Sequence, residues 1–116
     1  MKELPLIKKQ PIKPIDLVKY AGASGDFNEI HTVPSVAREK GLKDAIVHGM
    51  FLMGWAGEAI SEWFPDRQLS LFKVRFQAVT YPGSELFISG AFDGSRGEIT
   101  IKGSDDEIKL TGYFEL

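Results

Sequence analysis

Two short pieces of this chain carry residue types suited to proton chemistry. Asp26 and His31 stand five residues apart, with Gly25 just before them and Asn28 between. His48-Gly49-Met50 follows and opens a long apolar run. A carboxylate and an imidazole can divide the work of taking and returning a proton, once their surroundings tune them. Asp26 and His31 cannot do so from one helix, because five residues rotate about 140° past a full turn. A loop must bring them together, and Gly25 and Asn28 suit a loop. The first amides of a helix have no internal partner and sit at the positive end of its dipole. A helix starting at Gly49 therefore aims bare N–H groups at developing negative charge, an oxyanion hole by position. The pattern predicts a water-handling pair, Asp26 and His31, facing the Gly49 amide. Asn28 orients a side chain or closes the loop, and His48 packs at the helix start. Taken singly, Asp26 and Asn28 are ordinary turn residues and His31 an ordinary half-buried imidazole. Their joint register with His48-Gly49-Met50 is what points to chemistry.

The elements that must hold these groups follow from the pattern of the chain. Glu3 to Ile12 is extended and interrupted by Pro5 and Pro11, which suits a sheet edge. Pro14 to Ala21 is a short helix, with Pro14 at its first position and Asp16 in its first turn. Ile15, Val18 and Ala21 or Gly22 form its expected inward stripe, and Gly22 and Gly25 end it. Asp26 to Val33 is an irregular loop. Pro34 to Gly41 gives one or two helical turns. From Met50 to Phe64 the pattern is apolar nearly all round, so this helix is expected to be buried on most sides, with Glu58, Ser61 and Glu62 wet. Gly54 and Gly57 are expected to admit neighbouring backbone. Met50, Phe51, Met53 and Trp55 belong first to the core. After Arg67 the texture is β: 69–80, 86–92, 98–102 and 108–116, separated by Gly-rich turns. Phe72, Val74, Phe76 and Ala78 share one face, and Lys73, Arg75 and Gln77 the other. One largely apolar helix needs a sheet to wrap it.

Composition narrows the function. The 116 residues, 43% hydrophobic, suffice for one core but hardly for a core and a deep pocket together, which favours a pocket shared between copies. The net charge of −2 and the lack of a basic stripe argue against nucleic acid as a partner. Lys8, Lys9 and Lys13 are expected to be a solvated strand end. There are no cysteines, hence no thiolate chemistry. No apolar run approaches the roughly 20 residues of a membrane span. The first residues lack the apolar core of a secretory leader, so a cytoplasmic protein is expected. Asp26, His31 and His48 are metal-ligand types, but nothing else has ligand spacing. Neither a metal nor a cofactor is expected.

With these residues in place, the chain resembles the MaoC-like dehydratases, the group that includes (R)-specific enoyl-CoA hydratases. Ala21, Ser24, Gly25, Asp26, Asn28, Ile30, His31, Ala37, Gly41, Ile46, His48, Gly49 and Met50 match its pattern. Val74-Arg75-Phe76 with Tyr81-Pro82-Gly83 is similar to a second segment. The resemblance implies an α+β hot-dog fold, a curved antiparallel sheet around one long helix, as a single domain over 1–116. It implies reversible addition of water to a trans-2-enoyl thioester of CoA or acyl carrier protein, giving a (3R)-3-hydroxyacyl thioester. His31 is then the main base on a water shared with Asp26, which serves as partner or proton donor. Such proteins usually form homodimers or larger assemblies. Related hot-dog proteins hydrolyse acyl-CoA or bind acyl chains for a catalytic subunit. A thioesterase and a heterodimeric subunit are thus the alternatives, and Asp26 with His31 favours hydration. Glu29 stands for the usual Pro, Val33 for the usual Asp, Ser84 for a frequent Asp, and Gly57 for a Ser of some short-chain hydratases. Without an acid at 33, a looser start to the helix at Pro34 is expected. These departures bear on acyl preference more than on chemistry.

Overall fold

Pro5 divides the N-terminal extended stretch in two, because it has no N–H to give a ladder. In the computed structural model, which describes all 116 residues, the elements are β1 (Lys2–Glu3), β2 (Ile7–Lys9), α1 (Pro14–Ser24), a 3-10 turn (Glu29–His31), α2 (Pro34–Glu39), α3 (Gly49–Trp63), β3 (Leu71–Phe76), β4 (Leu86–Phe92), β5 (Arg96–Gly103) and β6 (Ile108–Glu115). The strands make one antiparallel sheet in the order β1-β4-β5-β6-β3, and β2 also pairs with β4. Between Glu3↔Ala91 and Ile7↔Ile88 the N-terminal side takes one residue more than β4, and the Leu4 N–H bridges the gap to the Gly90 carbonyl at 2.8 Å.

Alternation sets the core. Ile88, Ile99, Ile101, Leu110 and Phe114 face inward from β4, β5 and β6 and meet Leu52, Ala56, Ala59 and Ile60 of α3; none is more than 3% exposed. The fold is α+β: an antiparallel sheet wrapped on one long helix, with the small helices leading into it. No helix is long and apolar enough to cross a membrane.

Several local expectations change. Helix α1 runs on through Gly22 to Ser24, and only Gly25 ends it, in the left-handed region at φ 79°. Its buried stripe is Leu17 and Ala21, four residues apart, while Ile15 and Val18 are each 52% exposed. The loop after Asp26 contains the 3-10 turn, because Asn28 caps it with its side chain. Val33 gives α2 no side-chain cap. Helix α3 is exposed on one face only, but that face is longer than expected: Met50 and Gly54 join Glu58, Ser61 and Glu62 on it. Gly54 meets nothing within 4 Å, and a Cβ on Gly57 would meet the Phe72 ring at 3.8 Å, a side chain and not backbone. Lys9 is half-buried and not free: its ammonium pairs with the exposed Glu58 at 2.5 Å and lies 4.9 Å from the Trp55 ring centroid. Strand β3 ends at Phe76; the Gln77 N–H still reaches the Lys109 carbonyl of β6 at 2.9 Å, and only Val79 and Thr80 bond elsewhere. The Lys109 ammonium takes the Val79 carbonyl at 3.1 Å, and the Val47 N–H takes that of Thr80 at 2.8 Å.

Candidate active site

The loop between α1 and the 3-10 turn is built by its own side chains. Gly25, having ended α1, hands over to three acceptors spaced two residues apart. Ser24 Oγ accepts the Asp26 N–H at 3.1 Å, Asp26 Oδ1 accepts that of Asn28 at 3.2 Å, and Asn28 Oδ1 accepts that of Ile30 at 3.1 Å. Each is the local turn that Ser, Asp and Asn favour. One Asp26 oxygen is thereby tied to the loop, and the other is left facing His31.

His31 ends the 3-10 turn and is 8% exposed. Its Nδ1–H donates to the Ile46 carbonyl at 2.8 Å. A carbonyl only accepts, so this bond puts the proton on Nδ1 and leaves a lone pair on Nε2 of the neutral ring. Nε2 lies 3.7 Å from Asp26 Oδ2, too far for a direct hydrogen bond. Two acceptors facing across such a gap suit a water that donates one hydrogen to each.

His48 is the residue before α3. Its ring stacks on that of His31, with centroids 3.8 Å apart and planes at 17°, and its Nε2–H donates to the Asp26 carbonyl at 3.1 Å. It therefore touches both members of the pair. Tyr20 backs it edge-on at 4.9 Å. His48 Nδ1 is buried with no partner in the chain. Asp26, His31 and His48 each offer a donor atom within 4.8 Å of the others.

At the start of α3 the Gly49 and Met50 amides make no hydrogen bond outside the helix and cannot make one inside it. His31 and Gly49 line one cleft of about 360 Å³, whose other walls are mostly aliphatic: Ile46, Val47, Leu52, Ala78 and Val79. The structure thus gathers Asp26, Asn28, His31, His48 and Gly49 in one place. Residue 49 has no Cβ for a reason the chain order did not reveal. A Cβ there would sit 3.2 Å from the Phe76 ring, closer than an ordinary contact, so the ring lies against the bare side of this glycine. Sequence reasoning also missed the Ile46 carbonyl and Tyr20. The first is backbone and carries no residue signal; the second lies on α1, remote in sequence. A larger hollow of about 630 Å³ lies on the outer sheet face among Lys73, Arg75, Arg96 and Glu98 and holds none of these groups.

Known proteins resemble this chain in sequence and in fold. The family described as MaoC like domain matches residues 2–109. A mouse relative, peroxisomal multifunctional enzyme type 2, is 34% identical over 76 residues, covering 63% of this chain and 10% of its own length. The Arabidopsis thaliana mitochondrial 3-hydroxyacyl-[acyl-carrier-protein] dehydratase is 32% identical over 71 residues, covering 61% and 43%. The chain therefore spans less than half the length of these relatives. The solved (R)-hydratase from A. caviae superposes with a TM-score of 0.81 at 20% identity, covering 97% of this chain and 91% of that one, a likeness of fold. With the match running across nearly all of its elements, the chain belongs to the MaoC-like domain family.

Proposed function

We propose that residues 1–116 act as one catalytic domain, a hydratase that adds water reversibly to a trans-2-enoyl thioester of CoA or acyl carrier protein. The product is a (3R)-3-hydroxyacyl thioester. The observation that carries this is the gap between Asp26 and His31, beside a cleft that ends on the bare amides of α3. A water held by both residues loses a proton to His31 Nε2 as its oxygen bonds to Cβ. The double-bond electrons move toward the thioester oxygen, where the Gly49 amide and the dipole of α3 stabilise the charge. The enolate then takes a proton at Cα from the same pair, which restores the free base. Asn28 holds the loop, and His48 holds the pair in register. Relatives named for hydration and dehydration support the reading. Two cleft residues, Phe76 and Val79, are 47% and 41% exposed in one chain, which supports work as a homodimer or larger assembly, with a second hot-dog chain as the alternative partner. A cytoplasmic location belongs to the same reading, and cell fractionation checks it.

The test is loss of enoyl absorbance from crotonyl-CoA, with product chirality read out. Asp26→Asn and His31→Ala should each cut turnover by about 100- to 10,000-fold while melting near the parent temperature. Near-parental turnover in either variant, or thiol release from saturated acyl-CoA in place of hydration, would overturn the proposal.

A further inference from the structure

The cleft has one aromatic wall that the reaction above leaves without a role. Phe76, the last residue of β3, is 47% exposed. Its ring is nevertheless seated: a Cβ on Gly49 would lie 3.2 Å from both Cε1 and Cζ. A Cβ at position 49 would be a tight contact that the ring could meet only by shifting a few tenths of an ångström. The pairing recurs two turns on, where Gly57 faces the Phe72 ring at 3.8 Å. Both glycines thus face rings of β3, but only at Gly49 is the approach closer than an ordinary van der Waals contact.

The first of these rings lies beside the amide end of α3. A thioester oxygen held by the Gly49 amide brings its carbonyl carbon with it, and Cα is one bond further. The part of the substrate nearest Phe76 is therefore the reacting end and not the tail. The other hydrophobic walls, Ile46, Val47, Leu52, Ala78 and Val79, are smaller and branched or short.

Resting on the hydratase reading, we propose that Phe76 is a specificity-determining wall at the α-carbon. It admits enoyl thioesters with hydrogen on Cα and rejects those with a methyl there. A methyl pressed against a ring already seated against Gly49 overpacks the site. One misplaced methyl in an apolar pocket is worth about tenfold or more in kcat/KM.

The experiment compares kcat/KM for crotonyl-CoA and trans-2-methyl-2-butenoyl-CoA in the parent, Phe76→Ala and Phe76→Leu proteins, each checked by thermal melting. Dividing the variant's ratio by the parent's cancels the intrinsic reactivity of the two thioesters. The expected result is a preference for the unbranched substrate that falls about tenfold or more in Phe76→Ala and by less in Phe76→Leu. A parent that hydrates both thioesters equally, or a Phe76→Ala protein that keeps the full preference, overturns the assignment while hydration itself stands. Hydration of neither thioester by the parent removes the hydratase reading and this inference with it. If Phe76→Ala does not fold, Phe76→Leu decides: an unchanged ratio overturns the proposal and a lowered one supports it.

Discussion

The His31 ring is oriented by groups that have no proton-transfer role in the proposed reaction. The Ile46 carbonyl fixes which nitrogen carries hydrogen, and the stacked His48 ring fixes the plane. His48 also grips the Asp26 carbonyl, so one side chain spaces both members of the pair. Its cost is visible in the buried, unpartnered Nδ1, since an unmade hydrogen bond of that kind costs about 1–3 kcal/mol. His48→Ala should therefore lower kcat by about 100-fold through misplacement, with KM close to the parent value. Parental kcat in that variant would show that the stack has no part in catalysis.

Among the elements, the turns carry the most specific chemistry. The Ser24, Asp26 and Asn28 acceptors build a loop without help from a sheet. Asn28→Ala removes the cap of the 3-10 turn that ends on His31. It should cost about 1 kcal/mol in stability and reduce kcat as well, measured by melting and by turnover. A second acidic turn residue, Asp93, joins β4 to β5. Its Oδ1 accepts the backbone N–H groups of Arg96 at 2.8 Å and Ser95 at 3.0 Å. Those bonds hold its carboxyl below the ordinary value of 3.8. A carboxyl lowered by folding stabilises the fold above its unfolded value, and the contribution is lost as pH falls through the lower folded value. Asp93→Asn should thus melt below the parent at neutral pH, with the gap narrowing once pH drops under 3.8. A gap that stays constant into acid would assign the effect to something other than the charge.

At the scale of the molecule, one helix and one sheet face share a single core, and Phe114 sits fully buried at its end. Phe114→Ala should cost about 3–5 kcal/mol, read from denaturant unfolding. Outside the core, Ile15, Val18 and Met50 are 52%, 52% and 57% exposed. Apolar surface of that kind favours association. Light scattering should report at least twice the 12.9 kDa chain mass, and a monomer that turns over substrate would dismiss the shared-pocket idea.

The residues alone determined which groups gather and what type of element carries them. Periodicity marks α3 and the inward face of β3, since burial of one face selects side chains locally. The spacing of Ser24, Asp26 and Asn28 marks the loop, since each of those turns closes within three residues. Three matters were decided only in the folded chain. These are the stripe of α1 that turns inward, the lone pair His31 presents, and the ring that lies on Gly49. Each depends on groups distant in sequence, Ile46 for the lone pair and Phe76 for the ring. Contacts across such separations are fixed by packing and leave no local period to read.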